Sequence, residues 1–240
     1  MDSVFFDSAE KRQKEIPMRQ KISSSSLGFL IILGSVWGLS EAALGLGLES
    51  CAKLASGSIM TGFSLFFISA AWVRTRQIAG PALVVALALG FKLFDALLLG
   101  LPIGDGAIVN PMFAFAAEGL AFLLIAPFIA EAWRKKAAGQ SILGGISALL
   151  AVNLFPLVKF ASGVPACVVP GGTTPLSLYY APLAVGISLI TVPLGFLAAA
   201  KIEALEGRVT TASRAAAWRW LVPAAAAALC LIIQALIRLA

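Results

Sequence analysis

Histidine is absent from the 240 residues. Imidazole is the usual ligand for zinc, nickel and cobalt and the usual general base near neutral pH, so metallohydrolase and Ser/His chemistry are poor readings of this chain. Cysteine is scarce as well. Cys51, Cys167 and Cys230 form no CxxC pair and no metal-ligand spacing, which reads as buried or incidental thiols. A Cys51 to Cys167 disulfide stays open if both loops face an oxidising compartment. No GxxxxGK[ST] fingerprint is present, so ATP hydrolysis has to come from partners, and no DDxxD motif supports an enzyme acting on lipids. Neither a metal nor a cofactor is expected.

Charge is the next shortage. Only 12% of residues are Asp, Glu, Lys or Arg, against about 25% in ordinary soluble domains, while 60% are hydrophobic. The apolar residues run continuously for lengths near twenty and are rich in Leu, Ala and Gly. Such runs satisfy their backbone internally as helices, whereas a porin-like barrel needs short alternating strands. The fold class is an all-α polytopic transmembrane bundle.

Seven spans are expected: residues 27–46, 56–73, 81–101, 111–129, 141–158, 176–199 and 216–240. Residues 1–26 read as a flexible cytoplasmic tail in which Ser23 to Ser26 offer N-caps to the first span. Residues 27–199 form a six-helix membrane domain, 200–215 a cytoplasmic connector and 216–240 an additional C-terminal helix, with Pro223 near its start. Lys11, Arg12, Lys14, Arg19, Lys21, Arg74, Arg76, Arg134, Lys135, Lys136, Lys201, Arg208, Arg214 and Arg219 all fall on one side. Basic loops stay cytoplasmic, so the N-terminus is expected inside and the C-terminus outside. The net charge of +6 reflects this bias and attraction to anionic lipid, and nucleic acid is not an expected partner.

Against this background five ionisable residues stand out: Glu41, Lys92, Asp95, Glu118 and Lys159. A charge in hydrocarbon costs roughly 2.5–3.5 kcal/mol on insertion scales, so each needs a partner, water or a task. Lys92 and Asp95 are three residues apart and share a helical face, as either a neutral structural pair or part of a site. Trp37 lies one turn inward of Glu41, pairing a carboxylate with a flat apolar wall. Glu41 bound to Lys92 and a packed Trp37 is the alternative. Glu118 follows Pro111 by seven residues, and could pair with Lys159 or face a ligand. Asn153, Tyr179, Tyr180, Ser56, Ser58, Thr61 and Ser64 share the outer half of their spans with these groups, which predicts a polar cavity opening outward. Trp37, Glu41, Lys92, Asp95, Glu118 and Asn153 are the candidate substrate-binding residues. Loops 47–55, 102–110 and 159–175 are candidate lids. In span one, Gly34, Gly38 and Ala42 make a small-residue stripe suited to a helix of this bundle or of another protein.

The segments LGFLIILGSVWGLSEAALG and NPMFAFAAEGLAF, together with size and topology over residues 27–199, resemble the substrate-binding S components of energy-coupling factor transporters of prokaryotes. The resemblance implies a protein of the prokaryotic cytoplasmic membrane that is not an enzyme. Such a protein captures a vitamin-like micronutrient from outside and topples in the lipid bilayer with a transmembrane coupling protein and two ATPases. It maps partner docking onto Gly34, Gly38 and Ala42. The chain departs from the family in having glycines where an alanine pair is usual, in a seventh span, and in lacking an N-terminal histidine, which argues against nickel or cobalt transport. The alternative is a stand-alone carrier in which Glu41 and Glu118 handle protons or ions, although no inverted repeat supports it.

Overall fold

A computed structural model describes residues 22–51, 53–129, 131–163, 176–209 and 218–239. Most of the 1–26 tail and the Cys51 to Cys167 pairing lie outside the described residues. The described residues include seven long helices: α1 Ser24–Cys51, α2 Lys53–Thr75, α3 Ala79–Leu99, α4 Gly106–Ile125, α5 Ala137–Leu154, α6 Leu176–Val209 and α7 Trp218–Leu239. All seven contain a stretch long and apolar enough to cross a membrane, and no strand occurs among the described residues. The fold is the expected polytopic helical bundle. Helices α2 and α6 end beside the start of α1, where Arg74 meets Glu206 and the Phe29 ring, while α3 and α7 end together, where Asp95 meets Arg238.

Local chemistry sets the helix ends. Ser23 Oγ accepts the Ser26 amide at 3.2 Å, which makes Ser23 the cap of α1. Gly100, at φ 63°, closes α3 in the left-handed conformation that only glycine adopts without strain. At α4 the expectation based on Pro111 is corrected. Asp105 accepts the Ala107 amide at 2.8 Å and starts the helix at Gly106, five residues earlier, with Pro111 inside it. The polar stretch from residue 200 remains helical as far as Val209.

Close approach of backbones organises the packing. The most extensive interfaces join α6 to α2 and to α5. Pro193 inside α6 leaves the Leu189 carbonyl without its usual amide partner, and Ser141 of α5 donates to that oxygen at 2.7 Å. A helix-breaking residue thereby becomes an interhelical hydrogen bond, a device available where neighbours can restore the freed group. Where α3 lies along α1, a Cβ at Gly34 would sit 2.7 Å from Leu87 Cβ, and one at Gly38 would overlap the Phe91 ring. Ala42 is fully buried. The small-residue stripe is therefore engaged inside the bundle. On the face from which α1 starts, Arg74 of α2 pairs with Glu206 of α6 and lies over the Phe29 ring at 5.6 Å. Helix α7 sits at the edge, packed on α1 and α3, with Pro223, Cys230 and Gln234 buried along one stripe.

Candidate functional site

Among the described residues the buried charged side chains fall in two centres rather than one. The first lies between α1, α3 and α7. Lys92 Nζ donates to Glu41 Oε1 at 3.2 Å and Oε2 at 3.3 Å, and to Asp95 Oδ2 at 3.4 Å. Asp95 is fully buried and also accepts from Gln234 Nε2 at 2.7 Å, Arg238 Nε at 3.0 Å and Arg238 Nη2 at 2.8 Å. Gln234 Nε2 further donates to the Phe91 carbonyl at 3.0 Å. Two carboxylates and two cations thus cancel, each with a partner in hydrogen-bonding reach. In low dielectric such an arrangement is stable only when every charge is matched and bonded.

Chain direction explains how these residues meet. Asp95 lies about 6 Å from the end of α3 at Leu99, and Arg238 is the penultimate residue of α7; both helices finish on the same face. Glu41 lies about 26 Å from the start of α1, at matching depth. The sequence alone assigned a role to neither Gln234 nor Arg238. Their spacing of four on one face of a helix that is otherwise apolar from Leu221 onward was the signal that could have found them.

The second centre lies between α2 and α4. Glu118 is 3% exposed, and the Ser64 and Thr61 hydroxyls of α2 face its carboxyl group. Its Oε2 has no hydrogen-bond partner. Lys159, the sequence's candidate partner, is exposed. Because α4 starts at Gly106, Glu118 stands about 18 Å from that end and about 15 Å from Phe128, near mid-span rather than near an outer end. The expected one-sided cluster is corrected accordingly: Glu41, Lys92 and Asp95 keep their depth, and Glu118 lies deeper.

An aromatic layer lies between α1, α2 and α4. Trp37 of α1 is 1% exposed, stacks on Phe67 with centroids 6.1 Å apart, and meets Phe115 at 5.0 Å. Phe115 precedes Glu118 by one turn on α4, so the layer adjoins the second centre. Trp37 Nε1 is buried with no hydrogen-bond partner. Asn153 belongs to neither centre, being exposed and donating to its own Leu149 carbonyl at 2.7 Å. Among the described residues no three of His, Cys, Asp and Glu come together as a metal site. Comparison with family models, curated proteins and solved structures finds no match for this chain.

Proposed function

We propose that this chain is an integral-membrane uptake protein that holds a small organic solute between the Trp37 layer and Glu118. One observation carries the reading: two complementary groups, the indole N–H of Trp37 on α1 and the Oε2 of Glu118 on α4, are both buried and both unpartnered, and the Trp37 ring meets that of Phe115, one turn from Glu118. Unsatisfied buried groups cost about 1–3 kcal/mol each, a cost that a ligand offering an acceptor and a donor removes. The vitamin-like class of the solute, its release with the help of a coupling protein and two ATPases, and a cytoplasmic N-terminus follow from the resemblance to S components and from the basic loops. The test is mass spectrometry of small molecules retained by protein purified from its native membrane. A stoichiometric compound lost from Trp37→Phe and Glu118→Gln supports the reading. Protein that is empty and unresponsive to a micronutrient panel in thermal shift removes it.

A second reading, a carrier working alone, is favoured by the Gly34, Gly38 and Ala42 stripe being packed against α3 instead of being free for a coupling protein. Uptake into liposomes containing only this chain, driven by a cation gradient, distinguishes the two. Uptake that needs added ATPases returns the first.

A further inference from the structure

The surroundings of Glu118 leave a charge unanswered. A hydroxyl carries one proton. Thr61 Oγ1 donates to the Gly57 carbonyl at 3.0 Å and Ser64 Oγ to the Met60 carbonyl at 2.9 Å, and both hydroxyls also hydrogen-bond the Glu118 carboxyl group, so each proton is shared between the backbone of α2 and the carboxylate. The second carboxyl oxygen, Oε2, has no partner, at a place 97% removed from solvent where its charge is poorly screened.

Among the described residues no protein charge relieves it. Helices α2, α3 and α5 pack on α4, as does the short helix Val158–Ser162, whose Lys159 is exposed. On α2, Arg74 is committed to Glu206, and Lys53 is the first residue, about 12 Å along the helix from Thr61. On α3, Lys92 and Asp95 belong to the balanced network with Glu41 and Arg238. Helix α5 contains no Asp, Glu, Lys or Arg from Ala137 to Leu154, and α4 contains none besides Glu118.

We propose that Glu118, Thr61 and Ser64 form a seat for one hard monovalent cation, a sodium ion or a proton. The donor set is entirely oxygen, which suits hard cations and not the soft or imidazole-loving metals. One positive charge cancels the single carboxylate, whereas a divalent ion leaves an excess charge in the bundle. A sodium ion takes the hydroxyl lone pairs and the free Oε2 as ligands. A proton on the carboxyl group donates to one hydroxyl oxygen and removes the uncompensated charge. The seat is read without reference to transport and gives the carrier reading its ion. An ion response in a chain that carries no solute alone keeps the seat and removes the carrier.

Thermal unfolding of the purified chain tests this, in detergent at constant ionic strength, with Na+ exchanged for choline and with pH varied from 5 to 9. Sodium a few-fold above its dissociation constant is expected to raise the midpoint by roughly 2–4 °C in the wild type and not in Glu118→Gln. If the proton is the occupant, the wild type loses its midpoint advantage as pH rises, without a Na+ effect, while Glu118→Gln shows neither. Thr61→Val and Ser64→Ala are expected to raise the half-saturating Na+ concentration at least about tenfold, the equivalent of one lost ligand. Where Glu118→Gln gives too little protein, carbodiimide labelling of Glu118 in the wild type reads the same seat, with Na+ or rising pH suppressing the reaction. A wild-type midpoint matching Glu118→Gln at every Na+ concentration and pH, or labelling indifferent to both, overturns the proposal.

Discussion

Asp95 and Glu118 are both carboxylates within a few per cent of complete burial in one helical bundle, yet Asp95 is gripped by Lys92, Gln234 and Arg238 while Glu118, among the described residues, meets two hydroxyls and no cation. The contrast separates structure from task. A neutral cluster in which every charge has a partner fastens α7 to α1 and α3. An uncompensated carboxylate at mid-span is a group the fold tolerates for what it binds. Position in the chain follows the same division, since the closed centre draws its fourth charge from the last helix and the open one uses α2 and α4 alone.

The largest test of this contrast is to unbalance the closed centre. Arg238→Leu leaves two carboxylates against Lys92 and is expected to cost about 3–5 kcal/mol, as for other broken buried pairs. Chemical unfolding in detergent reads this, and a loss below about 1 kcal/mol would contradict the role given to α7. Next comes the α1 to α3 approach. Gly38→Leu must push the Phe91 ring aside and is expected to cost about 1–3 kcal/mol. If instead the variant unfolds like the wild type but loses partner proteins on co-purification, the stripe faces outward in the working protein.

A smaller effect is expected from removing opposite charges together. Glu41→Gln with Lys92→Met leaves the Asp95–Arg238 pair neutral and is expected to cost less than about 1.5 kcal/mol, well under Lys92→Met alone. Additive losses in that double-mutant cycle would show that the four residues do not act as one unit. The smallest effect belongs to the open centre. Glu118→Gln in the absence of ligand is expected to stay within about 1 kcal/mol of wild type, because no protein cation loses its partner. A loss near that of Arg238→Leu would make Glu118 structural and collapse the comparison.

Much of the fold was legible in the residues. Apolar runs near twenty residues fix the number of spans, because hydrocarbon accepts no unpaired backbone and leaves helix as the local solution. The three-residue spacing of Lys92 and Asp95 foretold their contact. The start of α4 was misplaced because proline's preference for a first turn competes with an aspartate cap, and local pattern does not say which prevails. Gln234 and Arg238 escaped notice because their partner is about 140 residues away and nothing local signals it.

Sequence alone determined that this chain is a polytopic helical membrane protein with buried charges at Glu41, Lys92, Asp95 and Glu118, since hydrophobicity and helical periodicity are local properties of the chain. Tertiary structure decided which of those charges are answered. Neutralisation acts over a few ångströms between helices distant in sequence, and only their packing shows that Arg238 reaches Asp95 while, among the described residues, no cation reaches Glu118.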